Sequence, residues 1–223
     1  MALISVLAKT AVTGLLLCLP LQTQNSPSGS KSAKATQSEA KNGTTFSGQI
    51  SNGIYQNVHF GFTCRIPQGW VIETKEFAEG TPNSQGTHLL LSALQHSPGL
   101  PDTSVNSAII ITAEDQTLYP DMVEAADYFG PMTEFIKSKG FQVVREPYQV
   151  RVGGEDLDRA DFRKDLDQIA IYQSTLVTIE RDYILSFTFI AGSQQQVDDL
   201  LGGLAFRSHT GPSRSKPKKE KPH

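Results

Sequence analysis

The strongest hydrophobic pattern in the chain is the stretch from Asp182 to Ala191, which is apolar or small at nearly every position. Its residues are mainly β-branched and aromatic, which is typical of a strand. Successive side chains of a strand point to opposite faces, so a strand that is apolar on both faces must be covered on both. The pattern therefore predicts a central strand, with a layer above it and a layer below it.

Four strand segments precede the first helical pattern, at residues 53–66, 70–76, 86–95 and 106–113. Pro67 and Gly69 mark a turn between the first two segments. We expect turn-rich loops at 79–86 and 96–104, and the single tryptophan, Trp70, is expected to anchor a corner of the sheet.

A helical pattern runs from Asp121 to Gly140. Asp121 and Glu124 have the spacing of a capping box, and Gly130-Pro131 predicts a kink or two short helices. Strands are predicted at 141–152, 155–163 and 169–180, and Gly153-Gly154 is a hairpin signal between the first two. The last predicted helix starts at Ser193, carries a stripe of leucines and ends near Gly202-Gly203.

The two ends of the chain are either polar or contain only a short apolar run. The run from Ala11 to Pro20 follows Lys9 and is too short to span a bilayer, which needs about 20 apolar residues. We therefore interpret 1–24 as a signal peptide, 25–51 as a disordered linker, 52–207 as the folded domain and 208–223 as a disordered basic tail. An alternative is a lipid anchor at Cys18, which would tether an exported domain to the membrane.

Charge is distributed unevenly. Residues 46–207 contain 11 Lys/Arg and 21 Asp/Glu, whereas residues 208–223 contain five Lys/Arg and one Glu. An acidic domain is a poor nucleic-acid binder, because neutralisation of phosphates supplies most of that affinity. The tail is expected to be solubilising, and contact with an anionic membrane is the alternative.

Six carboxylates lie close together in sequence between residues 155 and 167, and clustered carboxylates are the ligand type that a calcium site needs. They are Glu155, Asp156, Asp158, Asp161, Asp165 and Asp167. The glycine and the final glutamate of an EF-hand loop are missing, and Arg159, Arg163 and Lys164 interleave with the acids. A solvated, salt-bridged hairpin is therefore expected, and an unrecognised metal-dependent enzyme or hydrolase that uses these acids with a histidine is the alternative.

The remaining candidates for chemistry each favour a structural role. His88 and His96 are too far apart along one strand to share a metal, and His59 is expected to be half-exposed on a strand. Cys64 lacks a neighbouring base and is expected to be a structural thiol. Ser186 and Thr188 are expected to fill space in the central strand, because nothing nearby in sequence supplies a base. No catalytic, metal-binding or cofactor-binding residue is predicted.

The first strand group contains Tyr55-Gln-Asn-Val-His-Phe-Gly-Phe and Ile66-Pro-Gln-Gly-Trp70, and the second begins with Val152-Gly-Gly154. With these segments, the order of elements resembles the Mog1/PsbP-like superfamily, which includes exported bacterial members of unknown function. The resemblance covers about residues 52–207. It implies an α+β fold with a mainly antiparallel sheet of about six to seven strands and helices packed on its faces, an α/β/α sandwich. Known members include a photosystem accessory subunit and a Ran-binding protein, so the resemblance implies protein binding rather than catalysis.

The expectation for function is a non-enzymatic, exported binding or accessory domain that engages a protein partner in the cell envelope. Loops 79–86 and 96–104 and the sheet edges are the expected contact regions. The alternative is a small-ligand or metal-binding carrier. No cofactor is expected, and the membrane is expected as a partner only through an anchor at Cys18.

Overall fold

The computed structural model describes Phe46 and residues 48–72, 86–97 and 105–207. The predicted signal peptide, most of the predicted linker, residues 73–76 of the strand predicted at 70–76, all of loop 79–86 except Gly86, most of loop 96–104 and the basic tail lie outside the described residues. The predictions made for those segments stay predictions.

The main sheet has seven antiparallel strands in the order β4-β5-β6-β10-β9-β8-β7. Its strands are β4 (Val71–Ile72), β5 (Thr87–Leu94), β6 (Ala108–Asp115), β7 (Gln142–Val152), β8 (Glu155–Leu166), β9 (Ile169–Glu180) and β10 (Tyr183–Ala191). The predicted central strand is confirmed, because β10 lies between β6 and β9 and all of its residues except Tyr183 are buried. The predicted α+β class with a mainly antiparallel sheet is likewise confirmed.

The two faces of the main sheet have different cover. On one face, Ile184 packs with Phe129 and Ile136 of helix α1 (Phe129–Ser138). On the other face, Phe187 packs with Val197 of helix α2 (Gln194–Leu201) and with Phe62. This alternation along β10 is the physical reason that the sequence is apolar at both parities.

A second, four-stranded antiparallel sheet shares the α2 face. Its order is β1-β2-β3-β11, with β1 (Gln49–Ser51), β2 (Ile54–Asn57), β3 (Phe62–Arg65) and β11 (Leu204–Phe206). The predicted domain start at residue 52 is too late, because Gln49–Ser51 pair with β2 and Phe46 is buried in the core. Strand β11 was not predicted, since three residues after a glycine pair carry too little pattern to identify a strand.

The first helical segment departs from its prediction at the N-terminus. A 3₁₀ turn covers Ala125–Tyr128, and the capping box joins Glu124 and Asp127 instead of Asp121 and Glu124. Helix α1 then begins at Phe129, so Pro131 falls within the first turn, where its missing N–H costs no hydrogen bond. The segment does form two helical pieces, but they meet before Phe129 and not at Gly130-Pro131, which lie inside α1. Gly140 follows α1 with a positive φ of 85°.

The two-residue hairpins agree with the sequence. Gly153 and Gly154 connect β7 to β8 with φ of 57° and 100°. Arg181 and Asp182 connect β9 to β10 and also have positive φ, at 54° and 65°. These tight turns set the register of β7 with β8 beside the turn and of β9 with β10.

Candidate functional site

The carboxylates of β8 do not converge. Asp156 lies at the surface and pairs with Arg151 at 3.3 Å, and the exposed Asp165 pairs with Arg163 at 2.7 Å. Asp158 is half-buried, and burial raises the pKa of its carboxyl. Within the described ranges, no three His, Cys, Asp or Glu side chains are placed to hold one metal ion.

Asp161 is the exception to the expected solvated hairpin, because it is buried. Its carboxylate accepts hydrogen bonds from Tyr148 Oη at 2.9 Å, Arg159 Nε at 2.8 Å and Ser174 Oγ at 2.5 Å. Arg159 also donates to Asp198 of α2 at 2.7 Å. The network therefore binds strands β7, β8 and β9 to helix α2.

This network is arranged for structure rather than for catalysis. Ser174 is fully buried, so its hydroxyl cannot reach a substrate, and its hydrogen bond goes to a carboxylate and not to a histidine. Desolvation lowers and ion pairing raises the pKa of Arg159, and the net shift is upward, which keeps the guanidinium charged. The charged arginine lies 2.8 Å from the buried Asp161 carboxylate and neutralises it within the domain.

Two of the histidines lie in an aromatic cluster. The rings of His59 and His88 lie 5.1 and 4.6 Å from the ring of Phe46, and Tyr183 contacts the same ring at 5.0 Å. His96 follows the opposite end of β5, beyond Leu94. The structure therefore brings His59, and not His96, into the same cluster as His88.

Cys64 is fully buried on β3, where it faces the main sheet. Burial raises the pKa of its thiol to about 12. The thiolate is the nucleophile in cysteine chemistry, so this environment favours the structural role that the sequence predicts.

Ser186 and Thr188 are buried on β10, as expected, but each also has a hydrogen-bond partner. Ser186 Oγ lies 3.0 Å from Thr112 Oγ1, and Thr188 Oγ1 lies 3.0 Å from Thr175 Oγ1. They extend a line of polar groups across the α1 face of the sheet.

Glu114 is the buried carboxyl that the sequence reasoning missed. It is 1% exposed, and the hydroxyls of Tyr119 and Tyr128 donate to it at 2.5 and 2.8 Å. Burial raises the pKa of Glu114, and the two tyrosine hydrogen bonds lower it by less. The signal was available, because Glu114 shares the strand parity of the buried Thr112.

An open depression lies at the end of the main sheet where β10 meets α2. It has a volume of about 470 Å³, and none of the described side chains that line it is charged. The described lining residues are Gln95, Val105, Ser107, Gln168, Ile169, Ala170, Gly192, Ser193 and Gln196. Its amide and hydroxyl groups can both donate and accept hydrogen bonds, and Ile169 adds an exposed apolar side chain.

Among the described residues, no helix or second sheet packs on one face of the small sheet. Tyr55 and Cys64 are opposite each other and point into the core, so their neighbours on β2 and β3 point outward. The outward residues are Gln49, Ser51, Ile54, Gln56, Thr63, Arg65 and Ala205, of which only Arg65 is charged. Ile54 is 39% exposed, and Val58, at the end of β2, is 65% exposed. We call this set with Val58 the outer face.

The described helices are too short or too polar to cross a membrane. No protein-family model matches the chain, and no curated protein matches it. The fold has solved relatives of low similarity. LpqN of Mycobacterium tuberculosis, described as involved in cell envelope biogenesis, is 14% identical over 66% of this chain and 83% of its own, with a TM-score of 0.41.

Cyanobacterial PsbP (CyanoP) from Synechocystis sp. PCC 6803 is 15% identical over 69% of this chain and 91% of its own, with a TM-score of 0.44. A protein of unknown function from Pseudomonas aeruginosa, PA94, a putative regulator in its own description, is 13% identical over 66% of this chain and 92% of its own, with a TM-score of 0.36.

Proposed function

We propose that this chain is an exported, non-enzymatic binding domain that engages a protein partner in the cell envelope through the outer face. The observation that carries the proposal is the composition of that face. It presents seven paired strand positions with a single charge, in a domain that otherwise carries many charged side chains.

The physical basis is the composition of protein interfaces. Charged residues are depleted at interface cores. When a partner covers apolar side chains that are exposed in the free protein, their removal from water lowers the free energy of the complex. Ile54 and Val58 are such side chains, and the surrounding glutamine, serine and threonine residues supply hydrogen-bonding groups without the desolvation cost of a charge. Export to the envelope is supported by the predicted signal peptide at 1–24.

The test compares two full-length variants in a native pull-down from the organism's own cell envelope. Ile54→Lys with Val58→Asp adds charge to the outer face, and Val144→Asp adds charge to an exposed valine on β7, which is 54% exposed. We expect the wild type and Val144→Asp to retain one stoichiometric protein that the outer-face variant loses. Equal capture by all three proteins would reject the outer face as the binding surface.

The depression near α2 favours a second candidate function, that of a carrier for a small neutral ligand. Its volume of about 470 Å³ falls in the range of small-molecule sites, and its uncharged donors and acceptors suit a ligand without formal charge. Native mass spectrometry of gently purified protein tests it. A retained mass that Gln168→Ala with Gln196→Ala removes would support a carrier, whereas a bare protein mass would contradict it.

A further inference from the structure

Residues 116–128 join β6 to α1, and we call them the connecting segment. Its regular structure is limited to two 3₁₀ turns, at Gln116–Leu118 and Ala125–Tyr128. At its start, the Gln116 N–H donates to the Asp182 carbonyl at 2.9 Å. Beyond that point, the described hydrogen bonds that tie the segment to the sheet come from its side chains.

One carboxyl on β6 holds the connecting segment at two points. Glu114 is 1% exposed, and Tyr119 Oη lies 2.5 Å from its Oε2 while Tyr128 Oη lies 2.8 Å from its Oε1. Tyr119 follows the first 3₁₀ turn, and Tyr128 ends the second. The two contacts therefore attach both parts of the segment to the same side chain.

The surroundings of this carboxyl contain no partner cation among the described residues. Its cross-strand neighbours are Thr87 on β5 and Ile184 on β10. The buried neighbours that α1 and β9 contribute to the cluster around Tyr128 are apolar. The titratable groups that face Glu114 from the packed elements are thus Tyr119 and Tyr128. Burial raises the pKa of both tyrosines, so they stay neutral.

Protonation of Glu114 changes its charge without removing its hydrogen bonds. A neutral carboxyl can donate its own proton to one tyrosine oxygen and accept from the other hydroxyl, so two contacts form in either state. A carboxylate that is buried without a cation carries a desolvation cost that the neutral acid does not. Movement of the connecting segment away from the sheet would let water solvate that charge.

We propose that the connecting segment is a pH-dependent flap, which protonated Glu114 keeps closed and which opens more readily once Glu114 ionises. The proton passes to solvent, and Tyr119 and Tyr128 leave the carboxylate as the flap opens. Opening uncovers Glu114 and the buried pair Thr112 and Ser186, which lie beside it on the same face of the sheet.

The direction of the effect follows from the closed and open states of Glu114. In the closed flap, burial raises the pKa of Glu114 by more than the two tyrosine hydrogen bonds lower it. In the open flap, the carboxyl is in water and titrates near about 4.3. The opening constant is therefore lowest below about pH 4.3, rises about tenfold per pH unit up to the closed-state pKa, and is constant above it.

The other ionisable groups nearby do not produce this profile. Asp127 accepts hydrogen bonds from two backbone N–H groups, which lower its pKa, so it stays ionised above about pH 4.5. Asp121 and Glu124 are exposed, so their charges are in water whether the flap is closed or open. Asp115 and His88 lie on the opposite face of the sheet from Glu114.

Hydrogen exchange of single backbone amides in the full chain, followed by NMR from about pH 4.5 to about pH 8 and divided by the intrinsic rates, measures the opening constant. The reporters are the amides of Met122 and Asp127, which donate within the segment at 3.0 and 3.1 Å. The amide of Phe187 in the central strand reports on the rest of the domain.

We expect the opening constant at the two reporters to rise by about tenfold or more across this range and then to level off, with Phe187 unchanged. Glu114→Gln, which cannot ionise, should give a flat profile. The matched control is Glu134→Gln, because the Glu134 side chain is 77% exposed on α1, and it should keep the wild-type rise.

The same rise in Glu114→Gln would overturn the proposal, as would an equal rise at Phe187, which would mean that the whole domain opens. If Glu114→Gln does not fold, Tyr119→Phe tests the same carboxyl. Removing a hydroxyl that favours the carboxylate moves the levelling-off to higher pH. A profile that Tyr119→Phe leaves at the wild-type pH would also overturn the proposal.

Discussion

At the scale of single residues, Glu114 shows how burial and hydrogen bonding oppose each other. Burial favours the neutral carboxyl, whereas hydrogen bonds from Tyr119 and Tyr128 favour the carboxylate, and burial is the larger effect on the pKa. Both tyrosines come from the segment between β6 and α1, so Glu114 attaches that segment to the sheet. The sequence marks the parity of Glu114, but only the fold shows that its partners come from residues 5 and 14 positions later.

Glu114→Gln is expected to reduce the loss of stability as pH rises. The folded-state pKa of Glu114 is above the unfolded value, so its contribution is complete below the unfolded pKa of about 4.3 and is lost as pH rises through the folded value. The neutral amide has no such titration. Urea unfolding of both proteins from pH 4 upward measures the difference, and identical pH slopes would contradict the assignment.

Cys64 is expected to be unreactive in the folded protein. Its thiol is buried and has a pKa of about 12, so almost no accessible thiolate is present at pH 8. In the Cys18→Ser background, a thiol reagent should label Cys64 only after denaturation. Labelling of the native protein at the rate of a free thiol would show that β3 opens or that the site is accessible.

At the scale of elements, the hairpins and the long strands could be predicted because glycine pairs and alternating apolar residues are local signals. The position of Asp161 could not, since β8 reads as an alternating charged strand and its burial depends on Tyr148, Ser174 and α2. The start of α1 was displaced for a related reason. Glu124 and Asp127 can bond to free backbone N–H groups as well as the predicted pair, Asp121 and Glu124, could. Tertiary packing of Tyr128 favours the pair that the structure shows.

Arg159→Met is expected to destabilise the domain by about 3 kcal/mol or more, because it leaves the buried Asp161 carboxylate without its cation. The matched control is Arg163→Met on the same strand. Arg163 pairs with Asp165 at the surface, and loss of such a pair costs less than about 1 kcal/mol. Denaturant unfolding compares the two, and equal losses would contradict the structural role of the Asp161 network.

Gly153→Ala is expected to destabilise the domain more than Gly69→Ala. A Cβ at Gly153 would lie 2.5 Å from Ala205 Cα, whereas a Cβ at Gly69 meets no atom within 4 Å. Both glycines have positive φ, at 57° and 84°, so both variants carry backbone strain and only the first adds a clash with β11. Thermal unfolding should separate them by about 1–3 kcal/mol, and the reverse order would show that β11 does not pack against this turn.

At the scale of the whole molecule, the class, the central strand and the two helices could be predicted from periodicity. The second sheet could not be recognised, because β1 and β11 have three residues each and lie far apart in sequence. That sheet takes part of the cover that helices alone were expected to provide, and it creates the outer face. The proposed binding surface is therefore a property of the fold that no single segment reveals.

The most direct measurement is a native pull-down of the tagged full chain from its own cell envelope, read by quantitative mass spectrometry. We predict one protein partner at close to equal stoichiometry, retained against detergent and lost on Ile54→Lys with Val58→Asp. A protein recovered without any partner, carrying instead the extra mass of a small molecule, would contradict it and favour the carrier function of the depression near α2.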